Sequence, residues 1–503
     1  MMRVTGKLTV FVLLAAWGLV QGADLSDYDR AAQRVEQRSR ETPRTATHAR
    51  NVILFIGDGM GISTITAARI LEGQRRGETG EENRLSFEEF PYTAFVRTFS
   101  ANQQVSDSAP TATAMVTGWH ANDGALSVSP TLAYNEADAK VVADHALQTL
   151  LEQAQARGLA TGIVTTTSIT DATPAANYAH TPNRNWQYAG QLPPTATLAD
   201  IAMQLVMHQQ VGDGLDVVLG GGREVMLDTA TPDPEYPTRI GRRKDGRNLI
   251  NEWLAAQRGS QFVWKRDDLL AVDAKRTRHL LGLFEPTNMH YEADRAKDVA
   301  GEPSLAEMTR KAIEMLSGNG KGFYLVVEGG CIDHAHHIGN AYRALTDTIA
   351  FSDAVRTATS MTSAKDTLIM VTADHSHVLT ISGYPARGNP ILGLVKAPGA
   401  TAPTLDYKGQ PYTTLSYATG PGFAMQDEAV PGPRVVAPGR GQDLSAVDTT
   451  APDFHQQSLV GMSGETHGGE DVALYARGPG ADLARGAINQ NEIYHIMRRA
   501  LGF

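Results

Sequence analysis

Six continuous apolar runs limit what this chain can fold into. They are VILFIGDG (52–59), GIVTTTSITD (162–171), DVVLGGG (216–222), FYLVVEGG (323–330), TLIMVTADH (367–375) and VALYARG (472–478), and each runs into Gly, Asp or Thr. A strand with one wet face alternates apolar and polar residues. A strand that is apolar throughout needs cover on both faces, as a parallel strand between two helix layers has. Helical patterns lie between the runs, among them ADHALQTLLEQAQARG and PSLAEMTRKAIEMLSGNG. The alternation predicts an α/β fold: three layers, α/β/α, around a large, mostly parallel central sheet, with all six runs as its strands.

Polar residues cluster just after these runs, at the carboxyl edge where open α/β sheets bind ligands. They come from positions 58 to 467. A site drawn from so much of the chain predicts one catalytic domain over 51–503, although a length of 503 residues alone would suggest about three domains. Two stretches break the pattern. Residues about 223–305 mix short helices with Pro and acidic turns, and residues about 384–455 are rich in Pro, Gly and Thr. The second reads as an inserted, loop-rich, crown-like subdomain. Residues 23–50 read as a polar N-terminal arm with a helical middle.

Residues 1–22 read as a signal peptide, hence an exported protein, periplasmic or extracellular. Arg3 and Lys7 precede and open LTVFVLLAAWGLV, which is too short to span a bilayer, and small residues end at Gly22. An uncleaved anchor is the alternative reading. AINQNEIYHIMRRALGF is a polar amphipathic helix rather than a lipid-anchor signal, so no membrane anchor is expected. Cys331 is the single cysteine, which rules out an internal disulfide and leaves bound metal as one route to stability. The net charge of −10, with no basic stripe, argues against nucleic-acid-specific binding. An anion site would need its own local positive charge.

The chemistry-bearing segments are short. EGGCIDHAHH (328–337) puts Asp333 and His337 four apart, on one face of a helix, a plausible spacing for two ligands of one zinc. Alone, that spacing fits a helix-start carboxylate and a surface histidine equally well. But Asp374 and His375 follow another apolar run, His467 lies in GETHGGEDV, and Asp58 follows a third run in FIGDGMG. Asp58 could also be a helix cap in a Gly-rich turn; the segment is neither a dinucleotide nor a P-loop fingerprint. QVSDSAPTATAMVTG (104–118) offers several hydroxyls, none with a histidine adjacent in sequence to act as base.

Taken together, VSDSAPTATA, ILFIGDGMG, DATPAANYAHTPNRNW, VVEGGCIDHAHH, VTADHSH and GETHGGEDV resemble the alkaline phosphatases, from about residue 50 to 490. The resemblance implies hydrolysis of small phosphate monoesters with two zinc ions and one magnesium. Ser108 would be the nucleophile. Asp333, His337 and His467 would hold the first zinc, and Asp58, Asp374 and His375 the second. Magnesium would be held by Asp58, Thr173 and Glu328, with Asp171 nearby. Arg184 would grip phosphate, oriented by Asp107, and His334 would reach phosphate through water. The pairing is mixed: His334 is as in animal members, whereas Asp171 is acidic as in some bacterial ones. Glu235, Phe284 (through its carbonyl), Glu285 and Glu302 resemble the animal calcium site, with Glu302 where that site has Asp; solvated acidic loops are the alternative. A homodimer is also implied.

Elementary chemistry agrees with this assignment. A serine hydroxyl is a poor nucleophile at neutral pH, and metal coordination can activate it. Four carboxylates, a phosphate dianion and an alkoxide against one arginine would repel substrate until divalent cations are counted. Pro110 suits only a helix's first turn, which leaves Ser108 at the positive end with N–H groups facing phosphate. His336 and His377 are expected behind the ligands, and Cys331 as a buried bystander. Sulfatases and phosphodiesterases share this architecture, but Ser108 is followed by Ala-Pro-Thr-Ala, without the Arg of the sulfatase maturation signal. A non-catalytic phosphate-binding protein is the remaining alternative.

Overall fold

The computed structural model describes residues 26–41, 48–210, 212–423 and 443–503. The expected signal peptide (1–22) lies outside the described residues, as do parts of the arm and of the 384–455 segment. A ten-stranded sheet forms the centre. Its strands include β1 (Asn51–Gly57), β2 (Tyr92–Arg97), β3 (Ala160–Ser168), β4 (Val217–Gly221), β5 (Ser260–Val263), β6 (His279–Leu283), β7 (Phe323–Gly329) and β8 (Thr367–Ala373). Two more are Val472–Arg477 and Gly486–Asn489. The order is Gly486–Asn489, β2, Val472–Arg477, β8, β1, β7, β3, β4, β6, β5.

The strands that read as apolar runs are the buried ones. Val52 to Ile56 of β1 and all of β7 and β8 lie out of solvent. Trimming such a residue, for example Ile53→Ala, would cost about 2–5 kcal/mol. Helices flank the sheet in two mutually packed sets. One comprises Ile62–Arg75, Leu305–Leu316 and Ala341–Met361; the other comprises Ser108–Thr117, Leu150–Ala156 and Asn491–Ala500. Leu305–Leu316 starts where Ser304 and Glu307 cap each other: Glu307 N donates to Ser304 Oγ at 3.2 Å and Ser304 N to Glu307 Oε2 at 2.9 Å. Leu305, Met308, Ala312, Ile313 and Leu316 then face the core.

Three expectations need correction. VALYARG is a strand, but it runs antiparallel to both β2 and β8. Its burial alternates, with Val472, Leu474 and Ala476 buried and the residues between half-buried. An apolar run does not encode direction. Second, residues 223–305 do not merely interrupt the sheet; they supply β5 and β6. HLLGL is fully buried but only five residues long, too short to stand out beside Arg276 and Arg278. Third, β2 and Gly486–Asn489 extend the sheet from sequence that did not read as strand. β2 exposes four of its six residues.

A smaller sheet orders Leu379–Ile381, Leu415–Gly420 and Ser458–Gly461. Its middle strand is the part of segment 384–455 that pairs on both sides with strands outside that segment. The helix Asp27–Glu41 lies on Asn491–Ala500, where Arg34 Nε and Arg38 Nη2 reach the two oxygens of buried Glu492 at 2.6 and 2.5 Å. Among the described residues no helix is long and apolar enough to cross a membrane.

Candidate active site

Parallel register brings the key residues to one edge. Gly57 pairs with Gly329 on one side and Ala373 on the other, so β1, β7 and β8 end level. Asp58 follows β1, Glu328 is next to last in β7, and Asp374 and His375 follow β8. The helix Cys331–His337 begins directly after β7 and carries Asp333 and His337. His467 arrives differently. Because Val472–Arg477 runs the other way, its N-terminal end lies at this edge, and His467 pairs with His377 in a two-residue bridge. Gly59 turns the chain at φ +65°, and a Cβ there would sit 2.3 Å from the His377 ring.

Asp333, His337 and His467 form one centre. His337 Nδ1 faces the Glu465 carbonyl and His467 Nδ1 the Ser106 carbonyl, both at 2.7 Å. A carbonyl only accepts, so each Nδ1 carries the proton and each neutral ring keeps a lone pair on Nε2. The two Nε2 atoms lie 3.1 Å apart, and 3.3 and 3.4 Å from Asp333 Oδ1. A tetrahedral zinc with bonds of about 2.0–2.1 Å wants donors about 3.3–3.4 Å apart. The donor set and its spacing therefore fit such an ion.

His377 is also close, with Nε2 2.7 Å from Asp333 Oδ1. Its Nδ1 meets the buried carboxylate of Glu465. Between two carboxylates the ring donates from both nitrogens. Burial alone would lower its pKa, but Asp333 and Glu465 raise it to about 9. It orients Asp333 rather than offering a lone pair. Burial would raise the Asp333 pKa, yet the imidazoles around it, with His377 donating to Oδ1, hold it well below its usual value.

Asp58, Asp374 and His375 form a second, fully buried centre. His375 Nε2 is 3.3 Å from Asp58 Oδ1 and 3.3 Å from Asp374 Oδ2. Ser108 Oγ adds a fourth atom, 3.1 Å from His375 Nε2 and 3.4 Å from Asp58 Oδ1. These separations are again those of donors around one tetrahedral ion. Burial and the charges of Asp374 and Asp333 push the Asp58 pKa well up, and burial also raises Asp374. Burial pushes His375 well down, leaving the neutral ring that a metal requires. A divalent cation would restore both carboxylates to their charged form.

Ser108 begins the helix Ser108–Thr117, with Asp107 as cap, Pro110 in the first turn and left-handed Gly118 (φ 83°) beyond the end. Asp107 Oδ1 accepts from Arg184 Nη1 at 2.7 Å, and Asp171 Oδ1 accepts from Arg184 Nη2 at 2.6 Å. Burial would lower the Arg184 pKa, but both aspartates hold it above its ordinary value. Glu328 is lifted to about 7 by burial, against a hydrogen bond from Thr165. Thr167 Oγ1 also donates to Glu328, at 3.2 Å. The buried Thr173 hydroxyl has no well-aligned protein partner. An orphaned hydroxyl beside a buried carboxylate fits an oxygen-ligated ion such as magnesium.

His334 Nε2 stands 3.9 Å from Asp171 Oδ2, and Asn288 Nδ2 lies 3.4 Å from His334 Nδ1. His336 faces Thr64 and Tyr417, away from both centres. Cys331 is buried against the Thr166 and Met289 carbonyls, its pKa pushed well up by burial. Glu465, Asn288, Thr165 and Thr167 escaped the sequence reading. Thr111 also points its hydroxyl at Asp374 Oδ2, 3.4 Å away. Only Glu465 carried a signal, an acid two residues before a ligand histidine.

The residues read as a calcium site divide. Glu285 is shared between two sets: Glu235 and Asp298 complete one, His290 and Glu302 the other. Phe284 is buried at the end of β6, its N–H donating to Gly220 O at 2.9 Å. Neither His290 nor Asp298 was foreseen.

Residues 49–503 match the family described as alkaline phosphatase. The chain is 44% identical over 481 residues to the tissue-nonspecific alkaline phosphatase of Gallus gallus, covering 92% of this chain and 88% of that one. It is 42% identical over 460 residues to an alkaline phosphatase of Gadus morhua, covering 90% and 91%. In three dimensions it is similar to the Thermus thermophilus alkaline phosphatase, with a TM-score of 0.64 at 23% identity over 92% of this chain and 93% of that one. It is likewise similar to an alkaline phosphatase from the Antarctic bacterium TAB5, with a TM-score of 0.59 at 22% identity over 91% and 99%.

Proposed function

The chain belongs to the alkaline phosphatase family and hydrolyses phosphate monoesters, and we propose that it does so through a phosphoserine on Ser108, with two zinc ions and one magnesium as its cofactors. Asp333, His337 and His467 would hold one zinc, and Asp58, Asp374 and His375 the other. Glu328, Thr173 and Asp58 would hold magnesium, with Asp171 beside it. A solved histidine-to-aspartate variant of the TAB5 enzyme carries magnesium in a site called M3, which supports magnesium in this fold. Bound zinc would lower the pKa of a hydroxyl or water and stabilise a departing oxygen.

The chain's own residues do the rest. Arg184, held by Asp107 and Asp171, presents its planar fork to two phosphate oxygens. Ser108 Oγ, at the positive end of its helix, attacks phosphorus in line, and the alcohol departs from the opposite side. Water then attacks the phosphoserine, which releases inorganic phosphate and restores the serine hydroxyl. Glu465 and His377 keep Asp333 fixed and charged throughout. His334 is suited to meet a phosphate oxygen through water. Residues 51–503 serve as one catalytic domain with an inserted subdomain over 384–455. Export through residues 1–22 and assembly as a homodimer complete the reading.

One observation carries the proposal: Ser108 Oγ, His375 Nε2, Asp58 Oδ1 and Asp374 Oδ2 cluster with separations suited to one ion. The test is to trap labelled phosphate on the zinc- and magnesium-loaded protein at acidic pH. Label should sit on Ser108, and Ser108→Ala should lose both the label and activity by roughly three orders of magnitude or more. Label elsewhere, or faster turnover of a phosphodiester or sulfate ester than of the monoester, would reject it.

A further inference from the structure

The loop that follows β6 folds back over the end of β4 and meets the catalytic edge through one side chain, Asn288. Gly221 makes room for it. A Cβ there would sit 2.0 Å from the Thr287 carbonyl oxygen and 3.2 Å from Asn288 Cα. The end of β3 then holds the loop twice. Met289 N donates to Thr166 O at 2.9 Å, and Ser168 N donates to Asn288 Oδ1 at 2.8 Å. A backbone N–H can only donate, so the Asn288 carboxamide is fixed with its oxygen toward Ser168. Its other end, Nδ2, therefore faces His334 Nδ1, 3.4 Å away.

We propose that Asn288 is a positioning residue that makes His334 a hydrogen-bond donor toward phosphate. An amide NH2 group only donates, so His334 Nδ1 accepts and the ring proton resides on Nε2. That second nitrogen stands 3.9 Å from Asp171 Oδ2, too far for a direct hydrogen bond. Asp171 meanwhile accepts from Arg184 Nη2 through Oδ1, at 2.6 Å. The Nε2–H is thus left for a phosphate oxygen held by Arg184, or for a water on it. The His334 and Arg184 side chains are both partly exposed, as groups that meet substrate must be.

The same chain uses the opposite arrangement at its metal-facing histidines. Behind His337 and His467 stand carbonyls, which take the Nδ1 proton and leave a lone pair on Nε2. Behind His334 stands an amide NH2, which takes the lone pair and leaves a proton on Nε2. A carbonyl thus prepares a ring for a cation, and Asn288 prepares one for an anion. The reverse tautomer of His334 would turn a lone pair toward Asp171 and the phosphate dianion, acceptors both. The inference rests on the proposed function in one respect, that phosphate binds beside Arg184.

The test is a joint neutron and X-ray structure of the deuterium-exchanged protein, loaded with zinc, magnesium and inorganic phosphate. Deuterium is expected on His334 Nε2 and not on Nδ1; deuterium on Nδ1 would overturn the proposal. Asn288→Asp keeps an acceptor for Ser168 but removes the donor, so deuterium should then appear on Nδ1. A ring unchanged in that variant would also overturn it. In solution, Asn288→Ala should raise KM for p-nitrophenyl phosphate and the inhibition constant of inorganic phosphate together, by about 3- to 10-fold. The change in kcat should stay within about two-fold, as for loss of uniform binding. In a His334→Ala background the same substitution should alter neither constant. No effect of the single substitution, or an equal effect in both backgrounds, would show that Asn288 does not act through His334. Labelled phosphate trapped on Ser108 reports separately on the phosphoserine reading, and it persists if the inference about Asn288 alone fails.

Discussion

The centre built on Asp333 and the group built on Glu285 both bury several ionisable side chains, yet they are finished differently. Around Asp333 every imidazole has an assigned second nitrogen. His337 and His467 give theirs to carbonyls, and His377 gives its own to Glu465. Around Glu285 the carboxylates are crowded and His290 Nδ1 has no aligned partner. The difference teaches that burial does not make a strong metal site by itself. Outer hydrogen bonds that fix each tautomer do, and they are dense at one site and sparse at the other. Tight, specific metal binding is expected at the first; at the second the His290 imidazole, raised to about 9 by Glu302 and Glu285, serves those carboxylates as a counter-charge.

Experiments can break or sharpen that contrast. The largest effect should come from Asp333→Asn, which removes the carboxylate that three imidazoles surround. Activity should fall well beyond the roughly 10–100-fold typical of losing an outer partner, with one zinc lost per chain by elemental analysis. Activity near wild type would show that the centre is not catalytic. Next, Glu465→Gln should weaken zinc at that centre by roughly 10–100-fold, measured by competition with a chelator while Ser108 is left untouched. Unchanged affinity would erase the contrast in outer hydrogen bonds. Arg184→Lys exchanges a fork held by two aspartates for a point charge. A loss of about 10-fold or more in kcat/KM is expected, since hydrogen bonds to charged groups contribute about 1.5–3 kcal/mol. The smallest effect on turnover belongs to His290→Gln, which should stay within about two-fold of wild type because His290 meets Glu285 and Glu302 rather than the residues around Ser108. A large loss there would join the two regions into one functional unit.

The sequence exposes these regions unequally. The central strands could be read because burial on both faces demands unbroken apolar runs, as in β1, β7 and β8. Asp58, Asp374 and His375 could be read because each sits where such a run stops, and Asp333 and His337 because they share a helix face just after another; His467 instead lies ahead of its run. β5 and β6 could not, since four or five apolar residues make too short a run beside charged turns. The direction of Val472–Arg477 was hidden because composition does not distinguish parallel from antiparallel. His377 and Glu465 were within reach, each two residues from a ligand. Asn288 offered nothing: its work depends on a loop folding back to meet Ser168 and His334. His290 was one histidine among acids, and only the fold shows that Glu302 comes to stand beside it.

The reversed strand Val472–Arg477 has one more consequence, for the order in which the protein is made. Asp58 and Ser108 are synthesised early, but the proposed metal centre at Asp333 waits for His467, which the antiparallel strand draws to the edge through its pairing with β8. A chain interrupted anywhere before residue 467 lacks one of the proposed ligands, and also lacks the backbone bridge that pairs with His377. On the proposed mechanism, incomplete products are expected to be poor in metal and inert towards phosphate esters, so hydrolytic competence would certify that translation has passed this point.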